Sequence, residues 1–353
     1  MAPIDADQIR SQMGATTHQL THRKEPLIMK KLMCSIIAVA MASTLFLSVS
    51  DAAPKKYTIA LIPGLTTDAF YITMHKGAQA AADALGVDLL FQGSPEFNVV
   101  QQVPVLNAVI GRKPDVILVV ATDKTQLIIP LKKAVDAGIP VITLDCAIGD
   151  GRYQTGSGDA DFPLSYIASD NVAGGEIAAR ALAKAIGDKG KVYVSNVKPG
   201  ISTTDQREQG FRKEMEKHPN ITVLTTQFND DDANKAASQL QAILARNPDL
   251  AGVFGTNIYS AIGAGNGVKQ ANQTGKIKVV AFDATSVIIS QMKAGTIDIA
   301  IAQHPAEMGY YGVVTAYAHL TGQSVPPLIP TGYTVIDQTN VNDPNISRYI
   351  YSD

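Results

Sequence analysis

Short runs rich in Val, Ile and Leu return at nearly even intervals along this chain, each followed by a longer amphipathic stretch. That alternation restricts the fold more than any other feature, because strands separated by helix-length segments read as βα units of a parallel sheet. The first series has strands at 57–62, 87–92, 116–120 and 141–145, with helices at 69–85, 99–110 and 126–137. Gly86, Gly111 and Gly138 follow these helices, where a glycine C-cap is expected. The strands are near-continuous apolar runs, as in a sheet covered by helices on both faces. A second series begins at Ile167, with strands at 192–195, 222–226, 252–255, 279–282, 297–303 and 333–336. Its helices fall near 171–186, 204–217, 232–246, 260–270 and 306–321. The Gly- and Asp-rich stretch 148–163 is the one long loop between the series. The periodicity therefore predicts an α/β protein of two doubly wound lobes and leaves open whether the chain crosses between them once or three times.

The first 56 residues do not follow this pattern. Lys30 and Lys31 precede an apolar stretch at 32–49, and Ser50-Asp51-Ala52 places small residues at −3 and −1 of a cut after Ala52. This is the order of a secretory signal, expected over 29–52. Residues 1–28 are polar and patternless, and translation is expected to start at Met29. Cys34 opens the apolar stretch and is part of the signal, so Cys146 is the only cysteine of the exported protein and no internal disulfide forms. Removing residues 1–52 takes five basic and four acidic residues from the 30 and 32 of the whole chain, so 25 face 28. Such a mildly acidic protein, with scattered Lys and Arg, has no reason to bind nucleic acid.

Two segments focus attention on one end of the sheets. Ile142-Thr143-Leu144-Asp145 is a buried strand ending in a carboxylate, and Ile167–Gly175 ends a strand in Asp-Asn before a helix with two early glycines. Ligands of open parallel sheets sit at the strands' carboxyl ends. These residues, with Ile59-Ala60-Leu61, Asp68-Ala69-Phe70-Tyr71, Gly77-Ala78, Gly210-Phe211, Val253-Phe254, Phe282-Asp283 and Ile301-Ala302-Gln303, resemble the periplasmic ribose-binding protein family, the type I sugar-binding proteins of ABC importers. The resemblance spans about 56–337. It implies two Rossmann-like lobes joined by three crossovers near Ser169, Gln303 and Gly332, with ligand in the cleft and closure by hinge motion. The lobes implied are 54–168 plus 304–332 and 169–303 plus 333–353.

Sugars are held by planar polar groups that pair with hydroxyls and by aromatic faces that cover ring C–H surfaces. The matched positions imply ligand contact for Asp68, where the ribose binder has Asn, and for Phe70 and Tyr71, its ring-sandwiching pair. Asp145, Arg207, Asn257, Asp283 and Gln303 follow in the same way. All but Gln303 have a plainer alternative: Asp68, Asn257 and Asp283 as helix caps, the aromatics as core, Asp145 as a partner of loop amides, Arg207 as a surface ion pair with a neighbour such as Glu208. Two departures stand out. Ribose binders have Arg where this chain has Cys146 and Asn where it has Val120. The second lobe's aromatic is also missing, with Asp231 near its position. The ligand expected is therefore another pentose, a tetrose or an acyclic polyol, with fewer hydroxyls near Cys146 and one facing Asp231.

Sequence alone keeps other classes in view. Lactose-repressor-type regulators share these lobes but need a helix-turn-helix before the first strand, where this chain has a signal. An enzyme needs a catalytic constellation. Cys146 has no histidine spaced to activate it, and no metal spacing, phosphate loop or nucleophile elbow is present. The glycine spacing of 261–267 falls within a helical run. The reading is a monomeric periplasmic receptor, without cofactor or metal, that delivers a sugar or polyol to an inner-membrane permease. The alternative is a sugar or signal-furanose receptor for chemotaxis or a sensor kinase.

Overall fold

The computed structural model describes residues 56–351. The expected signal at 29–52 and the upstream segment 1–28 lie outside the described residues. Among those described, no helix is long and apolar enough to cross a membrane.

Two sheets carry the fold. The first has the order β12-β5-β4-β3-β1-β2, from β1 (Thr58–Ile62), β2 (Asp88–Phe91), β3 (Val116–Val119), β4 (Val141–Leu144), β5 (Ser165–Ser169) and β12 (Leu328–Thr331), all parallel. The second has the order β13-β11-β10-β9-β6-β7, from β6 (Gly190–Asn196), β7 (Ile221–Val223), β9 (Leu250–Gly255), β10 (Lys278–Phe282), β11 (Ile299–Gln303) and the antiparallel β13 (Tyr333–Asp337). In each, the first strand of the series sits beside its second on one side and its third on the other, the reversal that opens a binding crevice. The chain passes between sheets after β5, after β11 and between β12 and β13. The three crossovers implied by the resemblance are therefore present, and the fold is the type I arrangement of two doubly wound lobes.

The helices are α1 (Ala69–Leu85), α2 (Val99–Gly111), α3 (Ile128–Asp136), α4 (Asn171–Ala185), α5 (Ser202–Met215), α6 (Ala233–Arg246), α7 (Ile258–Gln270), α8 (Ser286–Lys293), α9 (Pro305–Leu320) and α10 (Pro344–Ser347). Differences from the sequence reading have local causes. The strand at Ile167 closes the first sheet and does not open the second. The strand expected at 222–226 shortens to β7, ending at Val223, and a separate two-residue β8 (Gln227–Phe228) follows it, both paired to β6. β12 escapes notice because Pro330 interrupts it, which a strand tolerates at a sheet edge. Gly86 does take the left-handed cap with φ 68°, but Gly111 remains helical and Lys113 takes φ 53° in its place.

Two helix pairs anchor the lobes. A Cβ on Gly77 would lie 1.9 Å from the Ala306 carbonyl oxygen, and one on Gly309 would lie 2.0 Å from that of Met74, so α1 and α9 touch backbone to backbone. The second lobe repeats the device: a Cβ on Gly175 would lie 2.0 Å from the Arg207 carbonyl and one on Gly210 1.9 Å from that of Val172, joining α4 to α5. The latter pair fixes the helix that carries Arg207.

Candidate functional site

All ten residues singled out from the sequence line one cavity of about 130 Å³ between the sheets' carboxyl ends: Asp68, Phe70, Tyr71, Asp145, Cys146, Arg207, Asp231, Asn257, Asp283 and Gln303.

Asp145 and Asp283 occupy equivalent places. Each follows the last residue of a central strand, β4 or β10, and adopts a left-handed backbone, φ 57° and φ 77°. Each donates its amide to the neighbouring strand, at 2.9 Å to Ile167 and to Ile301. That turn lifts the carboxylate off the strand line toward the cleft, a strained conformation of the kind held at functional sites. Asp145, 6% exposed, does not bind loop amides. It accepts from the Tyr71 hydroxyl at 3.2 Å and the Cys146 thiol at 3.4 Å. Asp283 does not cap α8, since Thr285 does. Its Oδ1 accepts from Gln303 Nε2 and from the Tyr351 hydroxyl, both at 2.8 Å. That contact fixes the Gln303 amide orientation and leaves its Oε1 buried without a partner.

Arg207 is 4% exposed and makes no ion pair with Glu208, which binds Arg212 instead. Its Nε donates to Asn171 at 2.8 Å and Nη1 to the Thr256 carbonyl at 3.0 Å, and the guanidinium lies 3.9 Å over the Phe282 ring. The fork is thus aimed from behind, with Nη2 bonded to no protein acceptor among the described residues. Asn257 takes the capping role and also lines the cavity. Its Oδ1 caps α7 through Ser260 N at 3.0 Å while its Nδ2 holds Asp231 Oδ1 at 2.6 Å. Asp68 likewise caps α1 through Phe70 N with one oxygen, at 2.7 Å.

Phe70 and Tyr71 are both buried and meet edge to face, 5.2 Å between centroids. Consecutive aromatics share this one core because the first turn of α1 sits at the rim of the lobe, where two directions are enclosed. The second lobe is not without an aromatic. Tyr259, on the first turn of α7, lines the cavity, as does Phe97 from the loop before α2. Thr203 and Thr204, at the start of α5, line it too. The sequence reading passed over these residues, although for Tyr259, Thr203 and Thr204 a place in the first turn of a helix that follows a strand was the available signal. Val120 is core and absent from the lining.

Burial raises both Asp68 and Asp145 to about 6; other carboxylates add to this, and Arg207 opposes it at Asp145. A raised carboxyl in the folded state stabilises the protein as pH falls from about 6 toward the ordinary value of 3.8, and costs stability above 6. Ligand hydroxyls would donate to the ionised form, so affinity for a hydroxyl-bearing ligand must fall over the same interval. On lowering pH from 7 to 5, we expect the Tm of the free protein to rise while Kd for a hydroxyl-rich ligand weakens about three- to tenfold. His75, lowered by burial, opposes the Tm trend but lies outside the cavity. Calorimetric titrations at both pH values check this, and an unchanged Kd would exclude these two carboxylates as acceptors.

Burial and the adjacent Asp145 push the Cys146 thiol up, away from the reactive thiolate. His75 stacks on Phe91, and His304 on Tyr349. Among the described residues no cluster of three or more His, Cys, Asp or Glu is arranged for a metal.

The periplasmic binding protein domain model matches residues 59–324. The ribose import binding protein of Haemophilus influenzae is 33% identical over 306 residues, 87% of this chain and 100% of that protein. Among solved structures, an ABC transporter solute binding protein from Agrobacterium vitis, bound with α-D-tagatopyranose, is 72% identical with TM-score 0.82, covering 84% of this chain and 100% of that one. A carbohydrate transporter solute binding protein from Agrobacterium radiobacter, in complex with D-arabinose, is 28% identical with TM-score 0.76, covering 84% and 100%.

Proposed function

This chain belongs to the periplasmic binding protein family, and from that premise we propose that it captures a small monosaccharide or sugar alcohol in the interlobe cleft and delivers it to an ABC permease in the inner membrane. The observation that carries the reading is the cavity itself, where carboxylates from both lobes, one buried guanidinium fork and the Gln303 side chain converge beside Phe70 and Tyr71. Such a set suits a neutral ligand rich in hydroxyl donors. Four carboxylates against one arginine disfavour sugar acids and sugar phosphates. The tagatose-bound relative supports trying a ketohexose in its pyranose form before pentoses, tetroses and alditols.

The protein acts as a monomer exported by the signal at 29–52, with lobes 54–168 plus 304–332 and 169–303 plus 333–353. Ligand contacts to both lobes at once favour the closed arrangement. No bond is made or broken, and no cofactor is used. A thermal-shift screen of D-tagatose, D-arabinose, D-ribose, D-allose and alditols tests the reading. A ligand at 100 times its Kd adds about 2.7 kcal/mol, whereas no shift with any of them overturns it. Cys146→Arg, which crowds the wall with a guanidinium, is expected to weaken the best of these ligands about tenfold, a loss of about 1.4 kcal/mol. An unchanged Kd would remove Cys146 from ligand contact.

A further inference from the structure

The C-terminal segment reaches back into the hinge. Tyr351 is 2% exposed, and its amide donates to the Ala284 carbonyl at 2.9 Å. Its hydroxyl donates to Asp283 Oδ1 at 2.8 Å and accepts from the Gln303 amide at 3.0 Å. Its ring meets Phe70 edge to face, 5.6 Å between centroids. Two residues earlier, Tyr349 stacks on His304, at the start of α9, with centroids 4.0 Å apart. Phe70 belongs to the first lobe, Asp283 to the second and Gln303 to the crossover between them. One side chain outside the cavity lining therefore touches a cavity residue from each of these three places.

We propose that Tyr351 is a positioning residue for ligand binding. It orients the Asp283 carboxylate through its hydroxyl and the Phe70 ring through its own. The role rests on the sugar-binding reading and extends it to a part of the chain 281 residues away from Phe70. A phenol bonded to Oδ1 leaves Asp283 Oδ2 turned to the ligand. The Gln303 amide, bonded to the same phenol oxygen, fixes the crossover strand relative to that carboxylate. An edge-on tyrosine holds Phe70 upright against the cavity, a geometry aromatic pairs favour.

Tyr351→Phe, which keeps the ring and removes the hydroxyl, tests the role in the purified protein with D-tagatose as probe. The expected result is a Kd about tenfold higher, the loss of one hydrogen bond to a charged group, with hydrogen exchange at the Gln303 amide at least about tenfold faster. The Tm of the free protein should move by only a few degrees. A purely structural role would lower Tm and leave Kd at 25 °C unchanged, and that result overturns the proposal. Tyr351→Leu, which removes the edge contact to Phe70 as well, should weaken binding further than Tyr351→Phe. Equal affinity in the two variants overturns the part assigned to the ring. Wild-type protein that binds no sugar at all overturns the sugar reading, and this role with it.

Discussion

Arg207→Ala is expected to weaken sugar binding at least about 100-fold and to lower the Tm of the free protein. Arg207 is the one cation among the lining residues, which include the carboxylates of Asp68, Asp145, Asp231 and Asp283. Burial raises the Asp145 carboxyl, and the Arg207 charge opposes that rise, leaving it at about 6. Removing one partner from a buried charge cluster costs about 3–5 kcal/mol because the remaining charge is left uncompensated, and hydrogen bonds from a charged donor to ligand are worth about 1.5–3 kcal/mol. In the variant Asp145 should protonate closer to neutrality, which removes a second acceptor from the ligand. Arg207→Lys keeps the charge but loses the fork that Asn171 and Thr256 orient. It should recover most of the stability and only part of the affinity. Calorimetric titration and thermal melts of both variants separate these effects. An Arg207→Ala protein that binds its sugar within threefold of wild type would take Arg207 out of ligand contact.

Gly175→Val should lower Tm by about 8 °C or more and abolish binding at the same time. The atom nearest to the added Cβ is a backbone carbonyl, that of Arg207 at 2.0 Å, and a helix backbone cannot turn aside as a side chain can. The two helices must separate, at a cost of about 3 kcal/mol or above, the upper range for overpacked sites, and each kcal/mol lowers Tm by about 2–4 °C in a domain of 150–250 residues. Parting α4 from α5 also draws Arg207 away from Asn171, which sits on α4. Gly111→Ala is the matched control. It is a helical glycine with open space around it, where alanine should be neutral or stabilising by up to about 1 kcal/mol. Loss of stability in both variants alike, despite the higher helix propensity of each replacement, would show that the close approach to the Arg207 carbonyl is not what requires Gly175.

The strands and helices were legible in the sequence because a parallel sheet buried on both faces demands uninterrupted Val, Ile and Leu, and covering helices demand a one-sided apolar stripe. Residues at strand ends were legible for the same reason. Once β4 and β10 are placed, Asp145 and Asp283 can only stand where the sheet stops. What those carboxylates do could not be read locally. An aspartate before a helix is a cap in one case, Asp68, and a left-handed turn facing a cavity in another, Asp283; hydrogen bonds with residues 20 or 68 positions away settle which.

The amino-acid order by itself determined that this chain folds into two βα lobes of the periplasmic binding protein family and which strand ends carry polar groups, because those properties depend on spacing over a few residues. The tertiary structure alone decided that these ends face one another across a single cavity and that Phe97 and Tyr259 join its walls. It also decided that the C-terminal Tyr351 stands behind Asp283. The pairing of lobes arises from the three crossovers, and the packing within each lobe from the close helix contacts at Gly77, Gly309, Gly175 and Gly210. Such contacts leave no period in the sequence, since each depends on one small residue meeting one distant carbonyl.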